Sequence, residues 1–241
     1  MNLFELIPSE ENIYNTYIED SIDRSREVVK FAEILDAIPS NCSIAIDSYW
    51  GSGKTFFVKQ VKMLLDIYND FIDDNYSIDK NKFKHSTDVF FNKGYKFDIQ
   101  PQIAIYYDAW ENDDEDPVNS LLYEICKTPI ADPDFLKSKN LIDIAKSIIS
   151  LFEKKDYTKL LESLKSDDVL SEIKVSKNLK ELINDFFESL LPEHGERLVI
   201  FIDELDRCKP SFAVDLLEKI KHYFYNDKIT FVFSVNSIEL Q

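Results

Sequence analysis

Two short stretches carry the residue types that handle phosphate. The first is Trp50-Gly51-Ser52-Gly53-Lys54-Thr55-Phe56. Its two glycines let a backbone wrap an anion without Cβ clashes. A lysine placed there reaches β- and γ-phosphate oxygens, and a threonine hydroxyl next to it holds Mg²⁺. The second stretch is Ile200-Phe201-Ile202-Asp203-Glu204, an apolar run ending in two acids. Asp203 suits Mg²⁺, directly or through a water, and Glu204 suits orienting and partly deprotonating an attacking water. Apolar strands often end in an acid, so the second stretch is weak alone; paired with the first it is specific.

Both stretches need elements to aim them. Ser43-Ile44-Ala45-Ile46 reads as a buried strand before the glycines. Phe57, Val58, Val61, Leu64, Leu65 and Tyr68 recur at helical spacing after them. Strand, Gly-rich turn and helix form a P-loop, where unpaired N–H groups and the helix dipole attract an anion. The first glycine of G-x-x-x-x-G-K-[ST] falls at Ser48, which predicts a less common backbone geometry there. The acids belong at the tip of another parallel strand, central and beside the P-loop strand, with Asp203 within water-bridging reach of Thr55. The last strand, Ile229 to Val235, should run between those two and end at Asn236, placed to sense the γ-phosphate; a polar strand end is the alternative. Arg207 either acts in trans as an arginine finger or pairs with Asp203 or Asp206. Asn92-Lys93 is followed by Gly94-Tyr95, not by a guanine-reading x-Asp, which favours ATP over GTP.

The 241 residues suit one α/β domain, and 44% hydrophobic residues suffice for a core. A net charge of −17 repels a phosphate backbone and anionic lipid, so nucleic acid is a poor partner for this region. Cys42, Cys126 and Cys208 are scattered without a C-x-x-C, which predicts a reducing, cytoplasmic setting and no zinc site. His85, His194 and His222 are scattered too. Met1 to Glu11 lacks the basic and apolar regions of a signal peptide, and no run of about 18 uncharged apolar residues could span a membrane.

Along the chain, residues 1–16 read as an extended lead-in and 17–38 as one helix ended by Pro39-Ser40-Asn41. Val89 to Phe97 reads as a hairpin turning at Asn92-Lys93-Gly94. Ile103 to Tyr107 reads as a buried strand leading into Asp108-Ala109-Trp110-Glu111. The acids Asp113, Asp114, Glu115 and Asp116 read as a solvated loop in front of a helix begun by Pro117. Helical spacing covers 135–153, 157–165 and 176–191, and Ser211 to Tyr225 is a further amphipathic helix.

Ser48-Tyr49-Trp50-Gly51-Ser52-Gly53-Lys54-Thr55, Tyr107-Asp108-Ala109-Trp110 and Ile202-Asp203-Glu204-Leu205-Asp206-Arg207-Cys208 together resemble the KAP P-loop NTPases. Members carry W-G-S-G-K-[ST], a strand ending in an N-A-W-like motif and a D-[DE]-L-D-R-C Walker B; here Asp108 replaces the usual Asn. The resemblance covers roughly residues 20–241, least in 135–191. It implies an additional-strand P-loop fold, ATP with Mg²⁺, and often membrane spans between the two Walker motifs, where this chain has helices and no span. Members include phage-exclusion and signalling-scaffold proteins, and they usually extend further. The chain is therefore expected to be an N-terminal fragment or a minimal member without the helical lid.

The expected fold is an α/β three-layer sandwich, a mainly parallel sheet flanked by helices, in one P-loop NTPase domain over 1–241. Its parts are 17–42, which is also the natural adenine pocket, then 43–134, a helical insertion at 135–195, and 196–241. The expected function is an ATPase that uses nucleotide state to switch conformation or assembly through self-association or a protein partner. The alternative is a nucleotide-held scaffold with negligible hydrolysis. A small-molecule kinase is disfavoured, since no acceptor site is recognisable.

Overall fold

The computed structural model describes residues 7–72, 76–91, 94, 96–127, 148, 169–191 and 195–239. Four described strands build the sheet: β1 (Cys42–Asp47), β2 (Gln102–Asp108), β3 (Arg197–Asp203) and β4 (Ile229–Val235), all parallel in the order β1-β4-β3-β2. β2, β3 and β4 are apolar on both faces because helices cover both. β1 is different. It lies at an edge of the described sheet and alternates between half-buried and exposed residues, so the stretch expected to be a buried strand is only partly covered.

Residue parity decides which face each strand residue serves. Ala104, Val199, Phe201 and Val232 pack under α1 (Glu10–Ile18), α2 (Ser25–Ala37), α3 (Lys54–Ile67) and α4 (Lys80–Phe91). Ile105, Tyr107, Ile200, Ile202 and Phe231 face the other way, against α5 (Pro117–Cys126), α6 (Val169–Leu190) and α7 (Pro210–Tyr223). The result is the expected helix–sheet–helix sandwich.

Four readings of local structure change. Residues 10–18 are helix rather than lead-in: Ser9 Oγ caps Asn12 N–H at 3.3 Å, and Ile13, Tyr14 and Tyr17 form a buried stripe. The helix expected over 17–38 is therefore two. Between them Asp20 and Asp23 sit in the left-handed region (φ 50° and 52°), and Asp20 Oδ1 accepts Ser25 N–H at 2.9 Å. The first arm of the expected hairpin is the end of α4. Asp79 Oδ1 accepts Lys82 N–H at 2.9 Å, and Phe83 and Phe90 pack on Tyr17 with ring centroids 4.3 and 5.5 Å away. Aromatic and β-branched residues at 89–91 look like strand, but a helix places Phe83, Thr87 and Phe90 on one buried face. Finally, β3 is central but not beside β1, because β4 lies between them.

The helix read over 176–191 falls in α6. Those read over 135–153 and 157–165 lie outside the described residues, apart from helical, buried Ile148.

Candidate nucleotide site

The glycine loop follows the carboxyl end of β1 and the two acids stand at that of β3, the end at which parallel α/β sheets bind ligands. Ser48 N–H donates to Val235 O at 3.1 Å and starts the loop. Gly51 and Gly53 turn it with φ of 77° and 85°, values that L side chains rarely adopt. Ser48 needs no such geometry: among the described residues only Asp20, Asp23 and Glu204 have positive φ without being glycine. A serine thus replaces the first glycine at no strain, contrary to expectation.

Gly53 is the N-cap of α3, and no side chain caps that helix. The N–H groups of the first turn, at Lys54, Thr55 and Phe56, are therefore left to an anion. Lys54 Nζ folds back onto the loop, donating to Ser48 O at 2.7 Å and Tyr49 O at 3.3 Å. Ser52 Oγ is buried without a hydrogen-bond partner. Arg24, at the start of α2, donates from Nη1 to Ser52 O at 2.7 Å. That contact places the start of α2 against the loop.

At the tip of β3, Asp203 is only 1% exposed. Its Oδ1 accepts Glu204 N–H at 3.0 Å and its Oδ2 accepts the Tyr106 hydroxyl at 3.0 Å. Each carboxylate oxygen keeps a lone pair beyond these bonds. Burial, then Asp203 and Asp108, push the Tyr106 hydroxyl far above the usual range, so it stays the donor. Glu204 is itself left-handed, with φ 59° and ψ 24°, a strained position that re-aims its side chain.

Glu204 Oε2 lies 2.6 Å from Arg207 Nε. The partner of Arg207 is therefore neither Asp203 nor Asp206, as the cis alternative had it, but Glu204. Burial and Asp203 raise the Glu204 pKa, and Arg207 pulls it back down. The guanidinium also stacks over Trp50 and Trp110, with centroids 5.9 and 5.5 Å away. Trp50 Nε1 donates to Asp206 Oδ2 at 2.5 Å. The three motifs read from the sequence thus meet around one arginine.

Asn236 follows β4, between the P-loop and Walker B strands as expected. It is buried, and its Oδ1 accepts Ile238 N–H at 3.3 Å. Ser234, two residues earlier and in register with Asp203, has a buried hydroxyl with no partner. Asp108 stands in register with Asp203 on the other side, with its Oδ1 taken by Trp110 and Glu111 N–H at 3.1 and 3.0 Å; burial raises its pKa. The acidic loop is structural. Asp113 and Asp114 pair with Lys209, and Asp116 caps α5 and meets Lys219 at 2.7 Å. Among the described residues no His, Cys, Asp and Glu cluster forms a metal site of its own.

A profile of the KAP family P-loop domain matches residues 24–240. The chain belongs to the KAP family. It is also similar to the uncharacterized protein MJ0182 of Methanocaldococcus jannaschii, 43% identical over 60 residues. That match covers 24% of this chain and 31% of the relative, so the chain matches less than a third of that protein's length. A KAP P-loop domain is a nucleotide-binding NTPase domain, and the donor set fits the role. An uncapped helix start, Lys54 and two left-handed glycines suit phosphates, while Thr55 and Asp203 offer the oxygen ligands that a hard divalent cation requires. Among the described residues no helix is long and apolar enough to cross a membrane.

Sequence reasoning missed Tyr106, Arg24 and Ser234. Tyr106 had a usable signal, since it shares parity with Asp108 on a strand paired to the Walker B strand. Arg24 had none, because its contact depends on how α2 packs.

Proposed function

We propose that this chain binds ATP with Mg²⁺ and hydrolyses it, using nucleotide state to switch conformation or assembly. The observation that supports this most is a left-handed Glu204 next to a buried Asp203 at the tip of β3, in the same chain as an uncapped P-loop helix. A pure binder has no use for a water-activating acid in that place.

Each residue has a distinct task. Backbone N–H groups from Gly51 to Phe56 would cradle the phosphates, and Lys54 would leave the loop carbonyls for phosphate oxygens. Thr55 and Asp203 would hold Mg²⁺, which when bound neutralises charge on the β- and γ-phosphates. Glu204 would orient water, and Asn236 would read the terminal phosphate from the neighbouring strand. Arg207 holds Glu204 in place; as a finger it would have to leave that ion pair for a second copy.

The Glu204–Arg207 pair also favours a second reading, a nucleotide-held scaffold with negligible hydrolysis, because an acid clamped by a guanidinium is a weakened base. A partner or second copy that draws Arg207 away would restore activity. The absence of a guanine-reading motif supports ATP over GTP. Scattered free cysteines support a reducing, cytoplasmic setting, and a part in phage defence follows only from the family resemblance.

The deciding experiment is Lys54→Ala with calorimetry of Mg-ATP. Charge-assisted hydrogen bonds contribute about 1.5–3 kcal/mol each, so affinity should fall roughly tenfold to a hundredfold or more with the fold intact. Unchanged affinity would overturn the P-loop assignment.

A further inference from the structure

Resting on that reading, we infer that Tyr106 is the positioning residue of the metal site: its hydroxyl fixes the Asp203 carboxylate, and its ring couples that carboxylate to the helix carrying Thr55. The contact with Asp203 Oδ2 is 3.0 Å long, and Asp203 Oδ1 is held at the same distance by Glu204 N–H. With one donor on each oxygen, the plane of the carboxylate is set by the protein before any cation arrives. The Glu204 donor is backbone and comes with the strand tip. The Tyr106 donor is a side chain from the neighbouring strand, which only the β2–β3 register supplies.

The ring does the second part. Lys59 Nζ lies 4.5 Å above the Tyr106 centroid. Lys59 is on α3, four residues after Thr55, and residues so spaced share a helix face. Lys59 therefore ties the Tyr106 ring to the first turns of the helix that carries Thr55. One side chain thus touches the support of both metal-ligand candidates, and parity alone puts it there: Tyr106 and Asp203 lie on the α3 face, Tyr107 on the other.

Tyr107 is a built-in control. It is the next residue, also a tyrosine, and its hydroxyl shares a 2.7 Å hydrogen bond with Ser120 Oγ on the opposite face. Each Tyr→Phe substitution removes one hydroxyl and one hydrogen bond and keeps the ring.

The test uses a fluorescent, non-hydrolysable ATP analogue titrated with and without MgCl₂. Outer-shell partners of metal ligands typically contribute 10–100-fold to metal affinity. Tyr106→Phe should leave metal-free analogue binding unchanged and cut the tightening due to Mg²⁺ about tenfold, while Tyr107→Phe leaves both unchanged. In an Asp203→Asn background, Tyr106→Phe should add nothing, since its effect acts through that carboxylate. Wild-type tightening in Tyr106→Phe, or an equal loss in Tyr107→Phe, overturns the inference while leaving the nucleotide reading standing. A parent chain that binds no analogue at all overturns the nucleotide reading and this inference with it.

Discussion

At the amino ends of the strands, polar side chains tie loops together. Arg197 donates to the carbonyls of Ile38, Ser40 and Asp227 and to Thr230 Oγ1. Asn41 Nδ2 bridges Asn226 O and Ile229 O at 3.1 and 3.2 Å. At the carboxyl ends the polar groups keep spare capacity. The Ser52 and Ser234 hydroxyls are buried without partners, α3 is uncapped, and Glu204, Gly51 and Gly53 hold left-handed backbone. The aromatic rings there are exposed too: Trp50 is 49% and Trp110 52% accessible. One end exchanges polar bonds for stability, and the other keeps bonding capacity and strain for a ligand. The amino end has its own exception in the buried Gln102 Oε1, unpaired at a cleft of about 320 Å³ lined by Asp36, Gln100, Glu196 and Arg197.

Three substitutions would break or sharpen that contrast. Glu204→Gln should have the largest effect. Positioned general bases contribute about 10²–10⁴-fold in rate, so phosphate release should drop by that much while Mg-ATP binding persists. Equal phosphate release by the variant and its parent would leave the scaffold reading in place of the ATPase. At the other end, Arg197→Met should cost about 1–3 kcal/mol in urea unfolding, the scale of lost hydrogen bonds to a charged donor, with nucleotide affinity unchanged. If affinity fell with stability, the two ends would not be separable. The smallest effect is expected from Arg207→Ala on stability, under about 1 kcal/mol, because the ion pair is part-exposed. Its effect should appear in turnover instead. A clamp acting in cis predicts parental turnover per chain that is independent of protein concentration, whereas a finger acting in trans predicts a steep rise with it.

The chemistry was legible because it depends on local sequence. Gly-Ser-Gly-Lys-Thr between strand and helix leaves the backbone few ways to turn, and the apolar run before Asp203 reads as a central strand at any position in the sheet. Strand-like composition at Val89–Phe91 misled, since packing on Tyr17 outweighed propensity there. At 10–18 Pro8 reads as a helix breaker, but it precedes the Ser9 N-cap and so lies outside the helix it would break.

By itself, then, the sequence determined the parts: the P-loop, the two acids ending an apolar strand, the last strand and the α/β sandwich, all set by residue periodicity and backbone constraints acting over a few residues. Tertiary structure alone decided their partners. The β2–β3 register brought Tyr106 to Asp203. Loop packing gave Arg207 to Glu204 and stacked it between Trp50 and Trp110. Those contacts join residues far apart in the chain, and their geometry follows from how strands and helices pack rather than from any local preference.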